Sequence, residues 1–391
     1  MINFDFGIRT KLYFGTDKHL EVGNILAEYK AKKVIVVIGK GSVRKSGLLD
    51  VVLSKLDEKN ITYHVLEGVR PNPTAQLARE FVKFAKEYKP DFVLAIGGGS
   101  VIDTAKMICV GYYYDGDCFD FNLHKVQPNN ALPLGVILTM AAAGSEMSTS
   151  AVMQDDSSMI KRGFNSEWNR PVFAIENPEL TYSVSAEQTG YGVTDIMMHT
   201  LERYFQPSSD NEPADGFAET LLKSVIKAAR VVKDNPKDYE SRAVIMLMSS
   251  LSHNGLTNIG KPFFMPVHQL EHALSGVYPE VAHGAGLAVL FPAWSKYYVN
   301  VDPDKFDSLA RNVFGLINPN KIENGLLGIK ALEDFFTEIN MPHTFKDLGI
   351  ENPDIDKLIS VLLDNGKKVI NHHIKPMDEE IARIIYKSCL R

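Results

Sequence analysis

Cysteine is scarce: Cys109, Cys118 and Cys389 are the only three in 391 residues. So odd and scattered a set makes neither a disulfide framework nor a thiolate zinc cage, and it fits reduced thiols in a cytoplasm. Charge of one sign is lacking too. Forty-two Lys and Arg against 48 Asp and Glu leave a net charge of −6, a mild acidity that repels a phosphate backbone and argues against nucleic acid as a partner. Apolar runs are short: residues 34–38, 92–96 and 243–248 fall far below the roughly 18 residues needed to cross a bilayer. No membrane association is expected, and residues 1–15, with Asp5 and no apolar core, do not read as an export signal. No internal repeat or low-complexity tract is visible. What remains is ordinary globular usage, 45% hydrophobic and 23% charged. At 391 residues the chain exceeds the roughly 250 to 300 that one core organises, so two domains are expected.

The two halves differ in pattern. Residues 33–38, 61–66, 91–96 and 134–138 are short, rich in Val, Ile and Leu, and mostly bounded by Gly or Pro, which predicts buried strands. Between them, residues 47–59 and 74–88 carry apolar side chains at helical spacing. Alternating strand and helix predicts a parallel sheet. From residue 186 onward the strand signal disappears, and helices are predicted at 186–205, 214–233, 238–256 and 267–275, with a solvated loop at 206–213. The fold class is therefore α/β followed by all-α, divided into residues 1–184 and 185–391.

Gly97, Gly98, Gly99 and Ser100 sit between a predicted strand and a helix predicted over residues 101–110. A pyrophosphate needs close approach of backbone N–H groups, which a Cβ obstructs, and it gains from the positive end of a helix. Asp103 reads as a stabiliser of that helix's first turn. The turn after the first predicted strand, Gly39-Lys40-Gly41-Ser42-Val43-Arg44-Lys45, lies at the same edge of the sheet. It lacks the third glycine of a dinucleotide fingerprint. Its three cations, with no acid before Asp50, favour a 2′-phosphate over free ribose hydroxyls, and hence NADP, with NAD possible.

In the second half Asp195 and His199 are four residues apart on a predicted helix, as are His268 and His272, and His283 follows a Tyr278-Pro279 break. The four-residue spacing puts each pair on one face. Three of the four imidazoles with the one carboxylate would make a mixed N/O set for a divalent first-row metal, Fe²⁺ or Zn²⁺. His253 lies on a helix that can reach the same place, while the adjacent His372 and His373 read as a solvated pair.

The run from Gly97 to Lys106, followed at long range by Asp195, His199, His268, His272 and His283, resembles the iron-containing alcohol dehydrogenase family, and nearly the whole chain takes part. Phe14-Gly15, Pro71-Asn72-Pro73-Thr74 and His283-Gly284-Ala285-Gly286 look like that family's other landmarks. The 39–45 turn and Phe291-Pro292-Ala293-Trp294 are similar to its butanol dehydrogenase branch. The resemblance implies a Rossmann-like dinucleotide-binding domain, a helical metal-binding domain and a cleft between them. It implies that Asp195, His199, His268 and His283 ligate the metal and that His272 faces the substrate without coordinating. Gly97, Gly98, Gly99, Ser100, Asn72, Thr139, Lys161 and Leu180 would contact the cofactor. The implied activity is NAD(P)-linked oxidation of small primary alcohols, or reduction of aldehydes, by a cytoplasmic homodimer.

Two departures stand out. Where the family reads Thr-Thr-Ala-Gly-Thr-Gly-Ser-Glu, residues 139–146 have Met140 and Ala143 in place of two threonines, so two hydroxyls are missing, and Ala142 in place of a glycine; Ser185 stands where proline is usual. A carbon–oxygen lyase like dehydroquinate synthase is the alternative, but it must hold a polyanionic substrate, and residues 268–283 contain no Lys or Arg. A hydrolytic zinc site leaves the triple glycine unexplained, and a metal-stabilised structural subunit is the remaining rival.

Overall fold

The computed structural model describes residues 1–206 and 211–390. They form two compact units, one of Gly7–Ser183 and one joining Met1–Phe6 to the chain from Val184 onward. The first six residues thus belong with the helical half rather than with residues 7–183. Their backbone ties them there, since Ile2 N–H donates to the Gly260 carbonyl at 2.9 Å.

The first unit is built on strands β1 (Lys11–Phe14), β2 (Lys33–Gly39), β3 (Thr62–Val69), β4 (Phe92–Gly97), β5 (Leu134–Leu138), β6 (Ser150–Asp155), β7 (Ile160–Asn165) and β8 (Phe173–Glu176). Six of them form one sheet in the order β1-β8-β5-β4-β2-β3, every pair parallel. The helices are α1 (Val22–Glu28), α2 (Ser42–Lys45), α3 (Leu48–Asp57), α4 (Ala75–Tyr88) and α5 (Gly99–Gly111). In β2, Val34, Val36 and Ile38 join the core made with α1 and α3. Ile35 and Val37 are fully buried but lie outside that core, because successive side chains leave a strand on opposite faces. Burial on both faces is why these strands are continuously apolar.

Strands β1, β8, β6 and β7 carry no such run. β1 and β8 are four residues each, and β6 and β7 mix polar and apolar residues in an antiparallel hairpin with Ser150 opposite Asn165. Asp103 proves to be something other than a first-turn helix stabiliser. Its carboxylate accepts from Ser145 Oγ at 2.6 Å and Val152 N–H at 3.0 Å, clamping the loop after β5 and the start of β6 onto α5.

The second unit contains α6 (Ala186–Tyr204), α7 (Glu212–Asp234), α8 (Tyr239–His253), α9 (Pro266–Val277), α10 (His283–Tyr298), α11 (Pro303–Phe314), α12 (Lys321–Glu338), α13 (Ile355–Leu362) and α14 (Glu379–Ser388). Beyond one isolated bridge between Ile370 and Met377, the described residues of this unit hold no strand. Ser185, the departure from proline, caps α6 by accepting the Gln188 N–H at 3.1 Å. Of the predicted 206–213 loop, residues 207–210 lie outside the described residues. Gln206 is buried and donates to the Glu202 and Phe264 carbonyls, and Asn211 is buried, whereas Glu212 and Pro213 are exposed as expected but belong to α7 rather than a loop. The solvated reading of His372 and His373 also fails. They lie outside any helix with their rings stacked 4.4 Å apart, and His372 packs on Tyr298 at 4.3 Å. Burial pushes the His372 imidazole down to about 4.

Candidate active site

Helix α6 is buried on all sides from Gly192 to Tyr204, so each polar residue in that stretch needs a partner. Asp195 and His199, one turn apart, face α9 and the first turn of α10. Three imidazole nitrogens converge on a single oxygen, Asp195 Oδ1: His199 Nε2 at 3.3 Å, His268 Nε2 at 3.5 Å and His283 Nε2 at 3.8 Å. Metal bonds of about 2.0 to 2.2 Å in a tetrahedron put neighbouring ligand atoms about 3.3 to 3.6 Å apart; His199 and His268 match that spacing and form one possible ligand group with Asp195, and His283 lies just beyond it. Asp195 Oδ1 and His268 Nε2 are both buried with no hydrogen-bond partner, which in a low-dielectric interior is costly unless a cation lies between them. The residues present therefore fit a divalent metal.

His272 stands apart from that point. Its ring is 5.7 Å from that of His283 and perpendicular to that of His268 at 6.3 Å. A second possible ligand group, Glu271, His272 and His283, is less suited to an ion because Glu271 already bonds His283 Nδ1. His253, left open by sequence, packs its ring 4.0 Å from that of His199, which lies 4.3 Å from His268 on its own account. Burial, reinforced by the other imidazoles and Arg203, pushes the His199 ring well below its ordinary range, so it stays neutral with a lone pair to give. At His268 burial works the same way, but Glu202 and Asp195 outweigh it and raise the imidazole to about 9.

Sequence reasoning missed three buried charged residues here. Glu202, on α6, bonds His268 Nδ1 and accepts the backbone N–H of Val267 at 2.6 Å and of His268 at 3.2 Å. Glu271 bonds His283 Nδ1. Arg203 donates to the His199 carbonyl at 2.6 Å. The only available signal was position: Glu202 follows His199 by three residues, as Glu271 follows His268. The glycines after His283 have a packing reason, since a Cβ on Gly284 would sit 2.3 Å from the Tyr191 carbonyl oxygen of α6.

In the first unit, Gly39 ends β2, Gly97 ends β4 and Thr139 follows β5, three adjacent strands. Thr139 N–H donates to the Gly97 carbonyl at 3.1 Å. The chain runs from β2 to β3 on one side and then to β4 on the other, so the β2/β4 junction is the topological switch point where α/β sheets bind ligands. None of Gly97, Gly98 and Gly99 has positive φ. Gly97 is required internally, because a Cβ would meet Val101 at 2.6 Å, but one on Gly99 would make only ordinary contact with Ala143 at 3.6 Å. Among the described residues no contact demands glycine at position 99, so space is left at the N-terminus of α5 where backbone N–H groups could meet a ligand.

Gly41, at φ 137°, is held by backbone conformation and precedes Ser42 at the start of α2. Asn72 and Lys161 are both buried and bonded to each other at 3.0 Å, and Leu180 lies in the 3₁₀ turn Pro178–Thr181 after β8. The 39–45 turn has an acid that sequence did not reveal: Glu67 of β3 pairs with Arg44 at 2.7 Å. Lys40 and Lys45 are exposed. A fully buried Lys106 braces the neighbouring loop, donating to Ser145 Oγ at 2.8 Å and the Ser150 carbonyl at 2.6 Å.

The model of iron-containing alcohol dehydrogenases matches residues 9–178, and that of the Fe-containing alcohol dehydrogenase family's C-terminal part matches residues 189–389. NADH-dependent butanol dehydrogenase A of Clostridium acetobutylicum is 36% identical over 389 residues, 99% of both chains. The NADPH-dependent aldehyde reductase YqhD of Escherichia coli is 29% identical, covering 99% of this chain and 100% of its own. The crystal structure of NADH-dependent butanol dehydrogenase A from Thermotoga maritima superposes with a TM-score of 0.95 at 34% identity, covering 100% of this chain and 99% of that one. Matched in both halves and aligned end to end with such relatives, this chain belongs to the iron-containing alcohol dehydrogenase family.

Proposed function

We propose that the protein interconverts small primary alcohols and their aldehydes, of butanol size, with one Fe²⁺ or Zn²⁺ ion and with NADP preferred to NAD. It is an NAD(P)-linked alcohol dehydrogenase or aldehyde reductase with a divalent metal. The observation that carries this reading is the convergence of three Nε2 atoms on Asp195 Oδ1. No family model or relative supports the lyase alternative.

Asp195, His199, His268 and His283 would hold the ion. When bound, the metal would supply Lewis-acid polarisation of the substrate oxygen, and the nicotinamide would supply hydride exchange at the carbinol carbon. His272, its ring 5.7 Å from that of His283, takes the alcohol proton in oxidation and returns it in reduction. In the first unit Gly97 to Ser100 admit the pyrophosphate, Gly39, Gly41 and Ser42 border the adenosine end, and Asn72, Thr139, Lys161 and Leu180 complete the cofactor contacts. Gly7–Ser183 is thus the nucleotide-binding domain, and the helical unit binds the metal.

The relatives divide over the nucleotide, NADH for the butanol dehydrogenases and NADPH for the aldehyde reductase, so the charge of the 39–45 turn supports the choice. Glu67 offsets Arg44, while Lys40 and Lys45 remain exposed for a 2′-phosphate. A cytoplasmic homodimer completes the proposal. Ile2, Phe4, Phe6 and Ile8 alternate along the N-terminal arm with 40 to 53% of each exposed, a strip that a second copy would cover. Among the described residues no helix is long and apolar enough to cross a membrane. The test is metal analysis of anaerobically purified protein with NADH and NADPH rates on an aldehyde panel. Metal-dependent oxidation of NADPH by butanal is expected, and its absence with every aldehyde and both cofactors would overturn the reading.

A further inference from the structure

We propose that Glu202 and Glu271 are positioning residues of the metal centre, each aiming one ligand imidazole and together holding three helices in register before any ion arrives. The inference rests on the metal-site reading above and adds a function to two carboxylates outside the ligand set. All four ligands lie on α6, α9 and α10. Glu202 leaves α6 and bonds His268 Nδ1 on α9; Glu271 leaves α9 and bonds His283 Nδ1 at the first residue of α10. The two bonds join the helices in sequence, α6 to α9 and α9 to α10.

The chemistry of each bond is the same. As a metal ligand an imidazole is neutral and carries one proton, and a carboxylate that accepts that proton at Nδ1 leaves the lone pair on Nε2, the atom facing Asp195 Oδ1 in both rings. The opposite tautomer would put hydrogen where the ion belongs. Glu202 has a second task. Its two oxygens also accept the Val267 and His268 N–H groups, free donors in the first turn of α9, so one negative charge caps a helix and aims a side chain of that same turn. Space for Glu271 is provided by Gly286, where a Cβ would lie 2.9 Å from Glu271 Cγ. Both carboxylates are completely buried, so neither bond is weakened by competing water.

A purely structural pair of buried acids would stabilise the apoprotein without affecting metal affinity, and this difference is measurable. Apoprotein prepared by chelation is titrated with Zn²⁺ and Co²⁺ against a chromophoric chelator, and its unfolding temperature is recorded without metal. Wild type, Asp195→Ala, Glu202→Gln and Glu271→Gln are compared. Asp195→Ala is expected to lose tight binding. Each glutamine variant should raise the metal dissociation constant by about 10- to 100-fold, with altered visible bands of bound Co²⁺ and an apo-state unfolding temperature close to wild type. Glu202→Ala should in addition lower that temperature, because the cap is gone. If Asp195→Ala loses the metal while both glutamine variants bind as wild type does, the positioning role is wrong. If Asp195→Ala binds as tightly as wild type, the ion lies elsewhere and the proposal falls together with the site.

Discussion

The two candidate sites are made of opposite materials. The nucleotide edge is mostly backbone and missing side chains: three glycines at the start of α5, a glycine turn after β2, and exposed cations around it. The metal centre is mostly buried side chains, each ligand helix tied to the next by a carboxylate. A site made of empty space tolerates polar change nearby and fails when the space is filled. A site made of buried polar groups fails when any one member is removed, because its partner is left unsatisfied in a low-dielectric interior.

The largest effect should come from the oxygen on which three nitrogens converge. Asp195→Ala or His283→Ala is expected to remove nearly all bound metal and activity, measured by elemental analysis and NADPH oxidation with butanal. His272→Ala should keep the metal and lower turnover by about 10²-fold or more. If the losses are reversed, with His272→Ala emptying the site and His268→Ala leaving it full, the metal centre is the other group around Glu271. Gly284→Ala comes next. Its methyl would collide with the α6 backbone at Tyr191, so about 1 to 3 kcal/mol of stability should go, together with tight metal binding. Normal thermal unfolding of that variant would mean α10 can shift without disturbing the ligands.

At the other site, Gly99→Ala should leave unfolding unchanged and weaken the cofactor by about 10- to 150-fold if it costs one charged hydrogen bond to the pyrophosphate. Equal cofactor affinity would reduce the triple glycine to a tight turn. Changing Lys40 to Asp should reverse a preference for NADPH over NADH, read as kcat/KM for both cofactors at two salt concentrations. Glu67→Gln should give the smallest change, a rise in NADPH preference of a few-fold, because the Arg44 pair it breaks is half exposed and worth about 1 kcal/mol or less.

The same contrast governs what could be read in advance. The strands β2, β4 and β5 and the glycines between strand and helix were legible, because continuous apolar runs and missing side chains are local signals. Asp195 with His199, and His268 with His272, were visible as four-residue spacings on helices. Their carboxylate partners were not. Glu202 meets His268 from 66 positions away in the chain, and only the packing of α6 against α9 brings them together. Glu67 was hidden for the same reason, reaching Arg44 from the neighbouring strand β3. Asp103 was assigned to its own helix although its partners, Ser145 and Val152, lie more than forty residues on. The short strands β1 and β8 owe their existence to the sheet edge they join rather than to their own composition.

Anomalous diffraction from crystals of the metal-loaded protein tests the central claim most directly. The account predicts one ion per chain, about 2.0 to 2.2 Å from Asp195 Oδ1 and from the Nε2 atoms of His199, His268 and His283, with Glu202 and Glu271 on the far side of their rings. An ion bound instead among Glu271, His272 and His283, or coordinated through Nδ1 of His268, would contradict it.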